Sequence, residues 1–232
     1  MNKFLFILFF ICGFTRVSGQ LDSLAVEIND SLYFEDQFYV GMFYNALTQQ
    51  PGETGQSKLS YGAMGGFIKD LPINRERYIA LGVGVGLAYQ SINSDLRARE
   101  LSTGRIVYNQ VAPGITYRRN TLSFASVEFP VEFRWRGSTP VKYRFWRVYA
   151  GVKFNYNLGA RSSFVTSDYK EVFSNSDVND WMYGAYFTFG YNTWNFYFYY
   201  QLNPLFRDGT FTGAGESIQS RSLQLGLIFY IL

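Results

Sequence analysis

The sequence predicts an all-β fold, an eight-stranded antiparallel transmembrane β-barrel wound as an up-and-down meander. Three observations predict it. Large apolar side chains alternate with small or polar ones at period two through eight segments, which is the pattern of a strand with one greasy face and one inward face. Hydrophobic residues make up 47% of the chain, yet mean hydropathy is near zero, so apolar and polar residues are interleaved rather than blocked. Short connections alternate with long ones, as the two ends of a membrane barrel require.

Residues 1–19 read as a secretory signal peptide. Lys3 supplies the charged start, 4–14 the apolar stretch, and Val17, Ser18 and Gly19 a small-residue cleavage site before Gln20. The apolar part is too short for a spanning helix, which needs about 20 apolar residues. Cys12 lies inside this segment and follows Ile11, where a lipoprotein signal wants a small residue. The mature chain therefore has no cysteine, which excludes disulfides and thiolate metal sites. Residues 20–35 form a short periplasmic N-terminal segment, and 36–232 the barrel domain. The longest nearly unbroken apolar run after the signal, 79–88, cannot span a bilayer as a helix. In a membrane this chain must therefore close into a barrel, because only helices and closed barrels satisfy the backbone in lipid.

The first strand covers 37–46, with Phe38, Val40, Met42 and Tyr44 on one face. The second covers 59–68, with Leu59, Tyr61, Ala63 and Phe67 opposite Ser60, Gly62 and Gly66. The third is the cleanest: Ile79, Leu81, Val83, Val85, Leu87 and Tyr89 alternate with Ala80, Gly82, Gly84, Gly86 and Ala88. The fourth, 122–135, sets Val127, Phe129, Val131, Phe133 and Trp135 against Glu128, Glu132 and Arg134. Leu122 and Phe124 stand in the opposite phase there, so a β-bulge is expected near Ala125 or Ser126, and Pro130 cannot donate to a ladder. In the fifth, 146–158, alternate residues from Trp146 to Leu158 face out, and Arg147, Tyr149, Gly151, Lys153, Asn155 and Asn157 face in. The sixth, 182–191, turns Tyr183, Ala185, Phe187 and Phe189 outward. The seventh, 194–202, is too aromatic for its facing to be read. The eighth, 222–232, turns Leu223, Leu225, Leu227, Phe229 and Ile231 outward.

The connections 69–77, 136–145 and 192–193 are short; 47–58, 91–121, 159–181 and 203–221 are longer. Short turns face the periplasm in outer-membrane barrels, so the expected location is the outer membrane of a Gram-negative cell, with outer-membrane lipid as an obligatory partner. The four tryptophans, Trp135, Trp146, Trp181 and Trp194, fall at strand boundaries, where aromatic girdles meet the water–lipid interfaces.

Glu128, Glu132, Arg134, Arg147 and Lys153 fall on the predicted inner face. An eight-stranded barrel is only wide enough for its own side chains, so these charges are expected to pair as a lumen network rather than line an ion path. Arg75, Arg77, Arg136, Lys142 and Arg144 cluster with Arg147 at the expected periplasmic rim, against only Glu76 and Asp70. Lipid phosphates or an acidic periplasmic partner suit such a rim. Residues 174–180 hint at calcium but lack the glycine and glutamate of an EF-hand loop, so a solvated loop is expected. The 91–121 loop, with Arg97, Arg99, Arg105, Arg118 and Arg119, is also expected to be solvated, with anionic sugars as the alternative. Gly82, Gly84 and Gly86 do not match the dinucleotide fingerprint. With no histidine in the chain, the commonest general base is missing, and no enzymatic activity or cofactor is expected. A net charge of +3 is too small to suggest nucleic acid.

The signal cut before Gln20, the segment 128–136 (EFPVEFRWR), the segment 145–151 (FWRVYAG) and the segment 190–197 (GYNTWNFY) resemble the PorT-like, porin-family outer-membrane barrel proteins of Bacteroidota. The resemblance covers most of 38–232. It implies an outer-membrane barrel that is a structural or accessory component of the cell envelope, and for some members a link to type IX protein secretion and gliding. Secretion components of the periplasm or outer membrane are the partners it implies. Asp22-Ser23-Leu24 and Asp30-Ser31-Leu32 resemble the O-glycosylation sequon of such bacteria. Two further readings stand beside it, a surface-binding or adhesion barrel working through its loops and a narrow porin-like barrel. A soluble lipocalin-like carrier is disfavoured, because the small face of the third strand would then have to face water.

Overall fold

Alternation at period two is realised as strand after strand in a computed structural model, which describes residues 37–74, 78–112, 114–137 and 146–231, all within the unit Phe34–Leu232. In chain order the strands are β1 (Gln37–Thr48), β2 (Tyr61–Pro72), β3 (Ile79–Asn93), β4 (Leu96–Glu100), β5 (Ile106–Gln110), β6 (Arg119–Arg136), β7 (Trp146–Val165), β8 (Lys170–Ser174), β9 (Trp181–Tyr191), β10 (Trp194–Gln201) and β11 (Arg221–Ile231). The described residues contain no helix. β1, β2, β3, β6, β7, β9, β10 and β11 pair antiparallel in that order, and β11 pairs back to β1. This is a closed eight-stranded up-and-down barrel. β8 adds to the far end of β7, and β4 and β5 form a separate hairpin. The signal peptide, the segment 20–35 and the rim residues Arg75, Arg77, Lys142 and Arg144 lie outside the described residues.

The apolar phase faces out. Phe38, Val40, Met42, Val83, Val85, Leu87, Val152, Phe154 and Leu225 are exposed, while Tyr39, Phe43, Ala80, Ala88, Tyr149 and Ile228 are buried. The aromatic β10, unreadable from sequence, turns Trp194, Phe196 and Phe198 outward and buries Asn195, Tyr197, Tyr199 and Gln201. Trp135, Trp146, Tyr191 and Trp194 ring the short-turn end, and Tyr44, Tyr61, Tyr89, Tyr156, Trp181 and Tyr183 ring the other, all exposed. From Trp181 to Tyr191 along β9, a rise of ~3.4 Å per residue at ~40° tilt gives about 26 Å, the height of a membrane barrel's apolar band.

Two irregularities have local causes. The β3–β6 ladder lapses between the pairs Val83↔Val131 and Gly86↔Glu128, next to Pro130, which has no N–H to give. The bulge is at the expected register but on the other strand. Ala125 pairs with Gly159 and Ser126 with Asn157, so the extra residue is Leu158 of β7. Gly159 adopts φ +143° there, a conformation glycine reaches without penalty, and its N–H donates to Asn157 Oδ1 at 3.0 Å. Beyond it the alternation of β7 flips, and Ala160, Ser162 and Phe164 turn inward. β6 itself never changes phase. Phe124 and Leu122 stand out of phase with lipid because they face an apolar chamber, where Phe124 is buried.

Candidate functional site

The inner face is filled from one end to the other in layers. Nearest the short turns, Asp70 accepts from Arg134 Nη1 at 2.9 Å and from Arg136 Nη2 at 2.7 Å. Arg134 Nε also donates to Glu132 at 2.6 Å, and the Tyr186 hydroxyl donates to the same carboxylate. The Arg134 guanidinium lies 4.8 Å from the Tyr149 ring centre, within cation–π range. One layer up, Glu128 accepts from the Tyr39 hydroxyl at 2.5 Å, and Lys153 Nζ lies 3.2 Å from both its oxygens. Lys153 also donates to the Tyr197 hydroxyl at 3.3 Å. A neutral layer follows: Asn45 donates to Gln90 at 2.7 Å and Ser222 to Asn45 at 2.9 Å, while Gln224 reaches Gln90 at 3.3 Å. A side chain on Gly86 would overlap the Tyr39 hydroxyl, so the small face of β3 is what lets Tyr39 reach Glu128.

All five predicted lumen residues, Glu128, Glu132, Arg134, Arg147 and Lys153, are buried on the inner face. Sequence reasoning placed Tyr149 inward, where it is buried, but put Asp70 at the rim and overlooked Tyr39, Tyr197, Tyr199 and Tyr230, which all stand in the inward phase. The basic rim needs correction. Arg136 is fully buried against Asp70 and Arg147 is also buried, because the inward phase runs to the last residue of β6 and begins at the second residue of β7. Neither is available to a partner at the surface.

Above the lumen, the long connections are folded rather than solvated. Ile92, Ala98, Tyr108, Phe124, Ala160, Val178, Met182, Leu205, Phe206 and Ile218 form a second apolar core, drawn from the barrel wall and from three connections. The β4–β5 hairpin turns at Gly104, φ +78°, and lays Ala98 and Tyr108 on this core. The Tyr108 ring meets Phe206 edge-on at 5.3 Å, and its hydroxyl lies 3.0 Å from Asn175 Oδ1 and 3.1 Å from Asp177 Oδ2. Asn179 Nδ2 donates to the carbonyls of Pro204 at 2.9 Å and Phe206 at 2.8 Å. Residues 174–180, expected as a solvated loop, therefore tie the cap together. Arg97 does too, paired with Glu171 at 2.8 Å and stacked 4.0 Å over Phe164. The core leaves a cavity of only about 30 Å³, too small for a solute. Arg105, Asp177, Asp208, the half-exposed Phe211 and Gly213 line an open cleft of about 670 Å³.

The model of the outer membrane protein beta-barrel domain family matches residues 20–207. The chain belongs to this family. It is an outer-membrane barrel, a class in which short turns face the periplasm and long connections the exterior. Two solved structures of Ail, the attachment invasion locus protein of Yersinia pestis, are similar. One, in complex with the heparin analogue sucrose octasulfate, is 13% identical with a TM-score of 0.40, over 86% of this chain and 100% of that one. The other is 14% identical with a TM-score of 0.37, over 84% and 97%. No curated protein matches the sequence.

In the outer-membrane barrel the cap has a built-in alkaline limit. Burial, and after it the Asp177 charge, pushes the Tyr108 hydroxyl well above the ordinary tyrosine value. The folded cap thus favours the neutral phenol. Its stabilisation is complete below the unfolded-state value of about 10 and is lost as pH rises above it. Proteinase K cleavage within 94–118 should stay constant to about pH 10 and rise beyond. Tyr108→Phe should flatten that rise and, at neutral pH, destabilise the cap by about 1–3 kcal/mol. An unchanged alkaline slope in Tyr108→Phe would assign the transition to another group.

Proposed function

We propose that this protein is a non-enzymatic, non-conducting barrel that binds at the cell surface through its folded cap. The apolar core of the cap carries this reading. Ordering three long connections costs conformational entropy, and a barrel kept only for anchorage has no use for a structured exterior. The cleft beside Phe211 and Asp208 is the concave part of that exterior. The layered lumen supports the absence of conduction, since its charges are engaged with one another under a closed cap. It equally speaks against catalysis: the inward carboxylates Asp70, Glu128 and Glu132 all hold cations.

The PorT-like resemblance supports a second reading, an accessory component of type IX secretion docked through basic periplasmic turns. The burial of Arg136 removes one member of that dock and favours the cap. Photo-cross-linkers placed in living cells separate the two. Adducts are expected at Arg105 and Phe211 on the cap, not at Ile73 and Asn74 on a turn. Adducts confined to the turn and joining secretion components would establish the accessory role instead. In planar bilayers the purified barrel should show no steady conductance, and reproducible open steps from the wild type would defeat the non-conducting half of the proposal.

A further inference from the structure

Above the tyrosine girdle, the outer wall of the barrel carries a cationic groove that no role described so far uses. β6 and β7 rise past the bulge as a pair, and β7 pairs in turn with β8, so the outward phase continues beyond the membrane as a polar sheet face. Ser91, Ser123, Arg161 and Ser174 form one cross-strand row; Asn93, Thr121, Ser163 and Val172 form the next; Arg119, Val165 and Lys170 the third. Arg119, Arg161 and Lys170 line a groove of about 340 Å³ that Tyr61 and Tyr89 of the girdle also line. No carboxylate lines it. None of the three cations has an ion pair among the described residues, whereas Arg97, on the inner side of the same wall, is held by Glu171. Cations are thus neutralised inward and left open outward.

The height of the groove identifies what meets it. Ser123 and Arg161 stand two residues above the level of Tyr89, which pairs with Ala125, and Arg119 stands six above. At ~3.4 Å per residue and ~40° tilt, that is about 5 to 16 Å beyond the girdle. Lipid headgroups occupy the first ~5–8 Å outside the hydrocarbon, and the long side chains of arginine and lysine reach back down into that layer. Guanidinium forks with serine and threonine hydroxyls around them match phosphate oxygens.

We propose that this groove binds the phosphorylated headgroup of an outer-leaflet glycolipid, whose acyl chains lie against Tyr61, Tyr89 and the apolar wall below. The site holds the barrel at a fixed depth and orientation and surrounds it with a preferred lipid.

Native mass spectrometry of the detergent-solubilised full chain, titrated with diphosphorylated lipid A, tests this. Arg119→Gln, Arg161→Gln and Lys170→Gln combined should weaken lipid retention on the order of a hundredfold. The control Arg99→Gln, which removes an exposed cap cation off the groove, should retain the lipid like the wild type, whereas Arg161→Gln alone should weaken retention about fivefold, which separates the groove from net charge. These variants leave every inward-facing lumen residue in place and should run as folded, heat-modifiable species. Dephosphorylated lipid A should bind wild type and groove variant alike. Equal retention of the diphosphorylated lipid by both would overturn the proposal. So would a soluble, acyl-free phosphorylated oligosaccharide binding as tightly as the lipid, which would make the groove a receptor for external glycans.

Discussion

Asp70→Asn is expected to destabilise the barrel by about 3–5 kcal/mol, the cost of breaking a buried ion pair by removing one partner. Asp70 accepts from both Arg134 and Arg136, and all three side chains are fully buried. The amide keeps the shape and removes the charge, so two guanidiniums lose a shared anion in a place water does not easily reach. Urea unfolding in phospholipid vesicles, followed by tryptophan fluorescence and by heat-modifiability on gels, reads the loss. The comparison is Asp180→Asn, whose ion pair with Arg207 is about half exposed on both sides and should matter by ~0–1 kcal/mol at most. Midpoints shifted equally by the two substitutions would mean that the lumen pairs are screened like surface ones.

Phe206→Ala should open the cap while the barrel stands. Phe206 is buried, packs edge-on against Tyr108 and bridges to Val178. Removing a buried phenylalanine costs about 3–5 kcal/mol, and a satellite core of this size has little more than that to lose. Proteinase K added outside intact cells should then cut within 94–118 and 202–220, while the membrane-embedded part keeps its resistance to unfolding by detergent at room temperature. Cross-linking at Arg105 and Phe211 should fall with it if the cap is the binding element. Loss of barrel and cap in one transition would show that the two cores are a single cooperative unit.

Most of the barrel was legible because lipid imposes a binary rule, and exposed and buried side chains alternate in obedience to it along β9 and along β3 as far as Tyr89. Leu81, Val83 and Val85 can face only hydrocarbon once Gly82, Gly84 and Gly86 face inward. What failed did so for one reason. The rule assigns every apolar residue to lipid, and the cap is a second apolar environment on the inner side. Leu122 and Phe124 were therefore read as out of phase, when the phase was right and the surroundings had changed. The same blindness made the loops look solvated: Ala98, Tyr108, Val178 and Ile218 are isolated in sequence and meet the Leu205–Phe206 pair only in three dimensions. β10 was unreadable because aromatics suit both faces; of its aromatics only Tyr197 and Tyr199 face inward, where the Tyr197 hydroxyl donates to Gln224 and the Tyr199 hydroxyl accepts from Asn155. Arg136 and Asp70 were placed at the rim because strand ends cannot be located to a residue from composition, and one further inward position separates a surface cation from a buried one.

The ladder between β1 and β11 sets an order of events. Every other pairing in the barrel wall joins strands that follow one another around the meander, but this one brings Phe38 to Ile231, 193 positions apart (231 − 38). It is the contact with the largest loop to close, so it is the slowest to find. Until it forms, both strands present a row of unmatched amide groups, an invitation to self-association in water and a heavy penalty in hydrocarbon. A half-zipped chain is thus at home in neither phase. Seam formation and entry into the bilayer must happen together, and whatever escorts the polypeptide to the membrane has to shield two distant edges at once.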